Sequence, residues 1–110
     1  MYEYRATIKE VYDGDTITAI VDLGFYTQMT IKVRLSGINA PELRGGEKDA
    51  GLKSRDRLAE LVLGKEVTLK TYRDKREKYG RWLADVYVAD QVISVNRQLI
   101  NEGLAVPYEG

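Results

Sequence analysis

Four short segments carry residue types that together could hydrolyse a phosphodiester. They are Asp13-Gly14-Asp15-Thr16, Arg34, Asn39-Ala40-Pro41-Glu42 and Tyr79-Gly80-Arg81. Carboxylates can hold a hard metal ion, two arginines can grip a phosphate through bidentate hydrogen bonds, and a further glutamate can act on water. A metal, an anion grip and a base are the minimum that phosphoryl-transfer hydrolysis requires.

Composition restricts which groups could do this chemistry. The chain has 110 residues, no cysteine and no histidine. Disulfides, thiolate zinc sites, thiol nucleophiles and a histidine base are therefore excluded. Any metal would have oxygen ligands, which favours Ca²⁺, Mg²⁺ or Mn²⁺. The length predicts one domain over residues 1–110.

The N-terminal segment and the apolar runs bear on location. The chain starts with polar residues, has no signal-peptide apolar core and has no apolar run of membrane-spanning length. We therefore expect a cytoplasmic protein without a membrane partner, or a secreted one if a leader has been removed.

Charge is distributed unevenly although the formal net charge is zero. Residues 65–81 hold seven basic and three acidic residues, a local charge of +4, whereas the first half leans acidic. An acidic metal-facing cluster beside a basic rim would produce this asymmetry. An ordinary mixed surface would produce it as well.

Seven predicted elements would position these residues. Alternating apolar and polar residues are typical of half-buried strands, and apolar residues at helical spacing indicate two helices. Gly64 and Gly103 are suitable helix stops, and Ser94 is a suitable N-cap. The predicted strands cover residues 4–9, 16–23, 29–35, 66–72 and 82–88, and the predicted helices cover 48–63 and 94–101.

This order of elements predicts a mainly β, or α+β, fold. A five-stranded Greek-key OB-fold barrel has its helix between strands three and four, as here, and a short C-terminal helix would follow; an α+β sandwich is the alternative. Asp15 would begin the second strand. Arg34 would lie on the polar side of the third strand, with Val33 and Leu35 facing the core.

The ordered motifs resemble the staphylococcal nuclease (thermonuclease) family. The resemblance rests on Asp-Gly-Asp-Thr at a strand start, an arginine before an x-Ala-Pro-Glu turn, and Lys-Tyr-Gly-Arg before the fifth strand, and it extends from about residue 6 to residue 105. It implies a Ca²⁺-dependent nuclease acting on DNA and RNA, preferably single-stranded. Water would attack the phosphate in line, breaking the bond to the 5′ oxygen and leaving a 3′-phosphate. We expect a monomer.

The resemblance also implies a set of metal ligands. Asp15 would be the carboxylate ligand of Ca²⁺, with Asp13 behind it as a turn residue or supporting carboxylate. Asn39 and the backbone carbonyl of Ala40 would complete the protein ligands. The best-studied family members carry aspartate at position 39, so we expect weaker metal binding here. They carry threonine at position 40, a change that a backbone ligand tolerates.

For the reacting groups, the resemblance makes Glu42 the general base or the group that orients water. Arg34 and Arg81 would stabilise the charge on the pentacoordinate phosphate. The tyrosines Tyr79 and Tyr108 and the ammonium of Lys78 would bind the nucleotide.

Each of these residues also has an ordinary structural interpretation. Asp15 and Asn39 could be turn residues, Glu42 a solvated loop residue, and the two arginines members of surface ion pairs. Two other functions therefore remain open: a catalytically weak or silent OB module that binds single-stranded nucleic acid or a protein, and a purely structural domain. The first predicts loss of several site residues, whereas only the Asn39 position departs.

Overall fold

The strands form a five-stranded closed barrel in a computed structural model, which describes residues 2–72 and 81–109. The elements are β1 (Tyr2–Asp13), β2 (Thr16–Asp22), β3 (Gln28–Leu35), β4 (Ile38–Asn39), α1 (Lys48–Val62), β5 (Glu66–Tyr72), β6 (Trp82–Val88), α2 (Val95–Asn101) and β7 (Val106–Pro107). The strand order around the barrel is β1-β2-β3-β6-β5, and β3 and β6 run parallel. The predicted OB-type barrel with a helix between its third and fourth strands is therefore confirmed.

Alternate strand residues point into the barrel and form its core. Val33 and Leu35 are fully buried, whereas Arg34 between them lies on the outer face, as the period of two predicts. The apolar face of α1 covers one end of the barrel with Leu58 and Val62. The residues on either side of Arg34 are therefore fixed in the core, and Arg34 projects from a rigid strand.

Helix α1 is attached to β1 at its C-terminal end. Gly64 follows the helix with a left-handed backbone (φ 74°), and its N–H donates to the Ile8 carbonyl at 2.8 Å. The Ile8 N–H in turn donates to the Lys65 carbonyl at 3.1 Å. The predicted glycine stop therefore also joins the helix to the barrel wall.

Helix α2 is held by a cap and by a buried amide. The Ser94 hydroxyl accepts from the Arg97 N–H at 3.1 Å, which confirms the predicted N-cap. Asn96 is 4% exposed; its Oδ1 accepts from the Val86 N–H at 3.0 Å. Its Nδ2 donates to the carbonyls of Ser36 at 2.8 Å and Ala84 at 3.0 Å. One side chain thus connects α2, β6 and the chain that leaves β3.

Two features differ from the sequence-based expectations. Asp15 lies in the turn ahead of β2, which begins at Thr16, because β1 continues to Asp13 and the tight turn takes Gly14 and Asp15. The two-residue pair of β4 with β7 was not predicted, since a strand of two residues shows no periodicity. No helix within residues 2–72 and 81–109 is long and apolar enough to cross a bilayer.

Candidate active site

Hydrogen bonds to Asp15 fix the turn between β1 and β2. Asp15 is 7% exposed, and its Oδ2 accepts from the Ala40 N–H at 2.9 Å. Its Oδ1 accepts from the Thr16 hydroxyl at 3.0 Å, and its backbone carbonyl accepts from the Leu35 N–H at 2.8 Å. These bonds join the turn to the loop after β4 and to the end of β3. Contacts with other segments therefore fix Asp15, although it does not belong to a strand.

Arg34 connects the predicted metal ligands to one another. Its Nη2 lies 3.8 Å from Asp15 Oδ2 and donates to Asn39 Oδ1 at 3.3 Å. Its guanidinium carbon lies 5.1 Å from the centre of the Tyr108 ring, which is a cation–π distance. Three residues from separate parts of the sequence therefore contact the side chain of Arg34.

Tyr108 reaches Arg34 because the short strand pair brings the C-terminal segment back. Asn39 lies opposite Val106, and the Tyr108 N–H donates to the Gly37 carbonyl at 2.8 Å. Tyr108 is 46% exposed, so part of the residue remains accessible to a ligand. This position is compatible with the nucleotide contact expected for Tyr108.

Arg81 lies next to β3, the strand that carries Arg34. It immediately precedes β6, and the parallel register places Trp82 opposite Val33 and Leu83 opposite Arg34. Arg81 therefore lies just before the start of the strand that pairs with β3 beside Arg34. Lys78 and Tyr79, the other predicted nucleotide-binding residues, lie outside the described residues.

Glu42 lies on a loop that rests on α1. It is exposed and comes two residues after Ala40, the residue that donates to Asp15. A Cβ atom added to Gly51 of α1 would stand 2.2 Å from the Glu42 carbonyl oxygen, so the loop touches the bare helix backbone. Glycine at this helical position is therefore required by the close approach of the Glu42 backbone.

The turn before β2 rests on the same helix. A Cβ atom added to Gly14 would lie 2.0 Å from Ser54 Oγ and 2.7 Å from Ala40 Cβ. Gly51 and Ser54, one helical turn apart, thus support the two loops that carry Asp15 and Glu42. The sequence interpretation missed this role, although a glycine inside a helical pattern was the available signal of close backbone approach.

The carboxyl of Asp13 stands in an unfavourable position for a charge. Burial, and after it the neighbouring Asp15 carboxylate, raise the pKa of Asp13 to about 6. The Asp13 Oδ1 accepts from the Asp15 N–H at 3.0 Å, and this bond opposes the rise without cancelling it. Asp13 therefore supports the turn by accepting a hydrogen bond, which does not require a negative charge.

We expect Asp13→Asn to stabilise the fold at pH 8 and not at pH 4. Because the folded pKa of about 6 exceeds the ordinary 3.8, the stability that proton uptake gives is complete below pH 3.8 and lost as the pH rises through 6. Asparagine keeps the acceptor oxygen and removes the charge. The gain at pH 8 should be about 1 kcal/mol after allowance for solvent screening. Urea unfolding of both proteins in chelator at the two pH values measures it, and an equal gain at both would contradict the assignment.

The oxygen donors at this site could bind a hard cation with modest affinity. Asp15 Oδ2 and Asn39 Oδ1 both lie near Arg34 Nη2, at 3.8 and 3.3 Å, so the two oxygens are held on the same side chain. Within residues 2–72 and 81–109, no three acidic side chains group closely enough to hold a metal ion by themselves. One carboxylate and one amide oxygen therefore fit a Ca²⁺ or Mg²⁺ ion that takes its other ligands from backbone, water and substrate.

Comparison with known proteins agrees with the motif resemblance. The family model described as staphylococcal nuclease homologue matches residues 32–110. The match includes the β3 arginine, the loop after β4 and the segment that returns Tyr108 to the site.

Individual relatives match over nearly the whole chain. An uncharacterized endonuclease of Escherichia coli O157:H7 is 36% identical over 107 residues, covering 97% of this chain and 63% of the relative. A micrococcal nuclease of Shigella flexneri is 32% identical over 113 residues, covering 96% and 59%. An uncharacterized endonuclease of Haemophilus influenzae is 34% identical over 102 residues, covering 93% and 51%. The chain thus spans between about half and three fifths of the length of these relatives.

Proposed function

Since this chain belongs to the staphylococcal nuclease family, we propose that it is a nuclease that hydrolyses the phosphodiester bonds of DNA and RNA with the help of Ca²⁺. The observation that carries the proposal is the convergence of Asp15, Asn39 and Tyr108 on Arg34. A metal-ligand pair, a phosphate-binding cation and an aromatic face are thereby gathered at one point. Single-stranded nucleic acid is the proposed substrate, because a tyrosine face can stack on an unpaired base.

Asp15, Asn39 and the Ala40 carbonyl would hold the Ca²⁺. When bound, the ion would polarise a phosphate oxygen and neutralise part of its charge. The Ala40 N–H already binds Asp15 Oδ2, so these two ligands are positioned relative to each other before a metal arrives. The proposed ligands are then Asp15 and Ala40, which already contact each other, and the side-chain amide of Asn39 at the end of β4.

The remaining side chains have distinct proposed roles at the phosphate. Arg34 and Arg81 would donate to its oxygens and stabilise the charge of the transition state. Glu42 would orient or deprotonate the water that attacks in line, since its loop follows directly from the Asp15–Ala40 contact. The bond to the 5′ oxygen breaks and the 3′ oxygen keeps the phosphate.

Asn39→Asp should tighten Ca²⁺ binding about tenfold or more. The substitution adds a negative charge beside Asp15 while keeping an oxygen at the same position, and charge count strongly affects calcium affinity. Calorimetric titration of Ca²⁺ measures the change. Asn101→Asp, the same substitution on the exposed end of α2, is the matched control. Unchanged affinity in Asn39→Asp would mean that residue 39 is not a ligand.

Gly51→Ala should lower the cleavage rate about a hundredfold without weakening helix α1. Alanine favours a helix by roughly 1 kcal/mol over glycine, but its Cβ would displace the Glu42 carbonyl. Displacement of a catalytic loop by about 1 Å can reduce activity about a hundredfold. Circular dichroism and single-turnover cleavage measure the two effects, with Lys53→Ala on the exposed face of α1 as the control. Full activity of Gly51→Ala would show that the Glu42 position is not critical.

The decisive test is cleavage of single-stranded DNA with Ca²⁺ and with chelator. The native chain should cleave only with Ca²⁺ and leave 3′-phosphate ends, and Glu42→Gln should lose about a hundredfold or more of the rate. Glu60→Gln, on the exposed part of α1, is the matched control. Loss of activity in the Glu60 variant as well would indicate a general defect and not a base at residue 42.

A binding module without catalysis is the second candidate. One observation favours it: the second carboxylate that the family resemblance leads one to expect is an amide, Asn39. This candidate predicts that the native chain binds single-stranded DNA but does not cleave it with Ca²⁺. In that case Asn39→Asp is the variant in which we would look for restored cleavage.

A further inference from the structure

The mouth of the barrel, at the ends of β1 and β2 opposite the turn that carries Asp15, opens into an apolar cavity. Its volume is about 580 Å³. A cavity of about 150 Å³ is enough for a benzene molecule, so this one has room for more than one aromatic side chain. Most of the side chains that line it are aromatic or long and apolar, among them Tyr2, Tyr4, Leu23, Met29, Ile31 and Trp82.

The hairpin that joins β2 to β3 carries two exposed aromatic residues at its tip. Phe25 and Tyr26 both adopt left-handed backbone angles (φ 52° and 59°), and the Thr27 N–H closes the turn on the Gly24 carbonyl at 2.8 Å. Aromatic residues rarely adopt this conformation, which favours glycine and asparagine. Both residues are fully exposed, so contacts within the chain do not offset the strain. Strained backbone of this kind is concentrated at binding sites.

The aromatic tip and the cavity are neighbours on the surface of one copy. Leu23 and Met29, on either side of the tip, both line the cavity. Phe25 is two residues from Leu23 and is therefore within about 7 Å of it. A surface with an aromatic projection beside an apolar cavity can complement a second copy of itself. A two-fold axis beside the hairpin would place the tip of each copy over the cavity of the other.

The exposed aromatic area is large enough for a stable dimer. Phe25 and Tyr26 are fully exposed, Tyr2 is 70% exposed and Trp82 is 38% exposed. Taking about 200 Å² for a whole aromatic residue, these four expose roughly 600 Å² per copy. Two copies that bury them against each other would cover roughly 1,200 Å², which reaches the range of stable specific interfaces, about 1,200–2,000 Å². The aliphatic walls of the cavity would add to this area.

Charge favours a second copy over a nucleic acid as the occupant. The formal net charge of the chain is zero, so two copies do not repel each other as strongly charged proteins do. None of the residues in 2–72 and 81–109 that border the cavity is charged. An aromatic ring can therefore enter without removing water from a charge. The phosphates of a nucleic acid would find no cation on these walls.

We propose that two copies of this chain form a dimer in which Phe25 and Tyr26 of each copy enter the apolar cavity of the other. The dimer departs from the monomer that the family resemblance implies. It does not depend on the proposed nuclease function. Because Asp15 lies at the opposite ends of β1 and β2, both candidate active sites stay accessible in such a dimer.

Sedimentation velocity over a range of protein concentrations tests the dimer. The dimer fraction of the native chain should rise with concentration, whereas Phe25→Asn combined with Tyr26→Gly should stay monomeric. Asparagine and glycine suit the left-handed turn, so this hairpin variant should melt, in dilute solution, at a temperature at least as high as the native chain. A native chain that stays monomeric, or a folded hairpin variant that dimerises as the native chain does, would overturn the proposal.

A matched control separates this surface from general stickiness. Val92→Ser combined with Ile93→Ser also replaces two exposed apolar residues, but outside the cavity. This control should dimerise as the native chain does. Met29→Lys, which places a charge in the cavity wall, should weaken dimerisation at least about tenfold, because an unpaired charge would be buried in the interface. Equal weakening in the control and in the cavity variant would overturn the proposal.

Trp82 reports on the cavity because it is the only tryptophan of the chain and lines the wall. Its emission should move to shorter wavelengths as the native chain dimerises, since the tip of the other copy would cover the ring, and should not move in the hairpin variant. Dimerisation without this shift would place the interface elsewhere and overturn the proposal. So would a native chain that stays monomeric while its emission responds to an oligothymidylate or to a small apolar molecule.

Discussion

Arg34→Ala is expected to lower the rate of phosphodiester cleavage about a thousandfold while the barrel stays folded. Arg34 lies on the outer face of β3, and its guanidinium reaches Asp15, Asn39 and Tyr108 at once. Its removal would take away both the proposed phosphate contact and the group that orders the ligand pair. The ion pair with Asp15 is long, at 3.8 Å, and the Asp15 carboxylate keeps its hydrogen bonds from the Ala40 N–H and the Thr16 hydroxyl when Arg34 is removed, so it is not left unpaired.

Steady-state cleavage measures the loss of rate, and circular dichroism of the same samples shows whether the barrel stays folded. Arg34→Lys should recover little of the rate, because an ammonium keeps the charge but not the planar fork that binds two phosphate oxygens. Arg81→Ala should show a comparable loss. Arg97→Ala, an exposed arginine of α2, should cleave normally. Unfolding of Arg34→Ala would show instead that the arginine is structural.

Asn96→Ala is expected to lower the free energy of unfolding by about 3 kcal/mol or more. It removes the partners of the Val86 N–H and of the Ser36 carbonyl, and each buried group left unpaired costs about 1–3 kcal/mol. The Ala84 carbonyl loses one of two partners, since it still accepts from the Ser36 N–H at 2.9 Å. For a domain of this size the melting temperature should fall by roughly 10–20 °C. Thermal unfolding in chelator measures the loss of stability independently of metal binding.

Asn101→Ala is the matched control for Asn96, because it makes the same substitution at an exposed position of the same helix. It should change stability by about 0.5 kcal/mol or less. An equally small change in Asn96→Ala would mean that water or a shifted backbone replaces the buried amide. The Asn96 bond to Ser36 also predicts that the weakened protein loses order in the loop toward Asn39 before it unfolds globally.

The barrel was predictable from sequence because its strands alternate cleanly. Val33, Arg34 and Leu35 show why: two buried residues and one exposed residue are determined by local periodicity and by the shape of the sheet. Ser94 was equally predictable, since a cap depends on its own helix end. The turn position of Asp15 was not, because the end of β1 is decided by pairing with β2 and not by the residues at the end themselves.

The candidate site was predictable only as a set of residue types. Asp15 and Asn39 were expected to act as metal ligands and Arg34 as a phosphate contact, and the structure places Asp15 and Asn39 each beside Arg34. The contacts that achieve this are between distant segments: Gly14 on Ser54, Gly51 on Glu42, and Asn96 on Ser36. Packing between distant segments leaves no periodic trace in the sequence; of these three supports only Gly51 gave a signal, as a glycine inside a helical pattern.

The β4–β7 pair has a consequence for the order in which the protein becomes competent during synthesis. Tyr108 reaches Arg34 only after residues 106–107 have paired with residues 38–39, and this contact joins chain segments that are far apart in sequence. Contacts of such separation form late in folding, and a ribosome releases the N-terminal partner first. A nascent chain would therefore carry Asp15 and Arg34 before the tyrosine that lies beside them has been synthesised. The proposed substrate site would be complete only when the two-stranded β4–β7 sheet has formed.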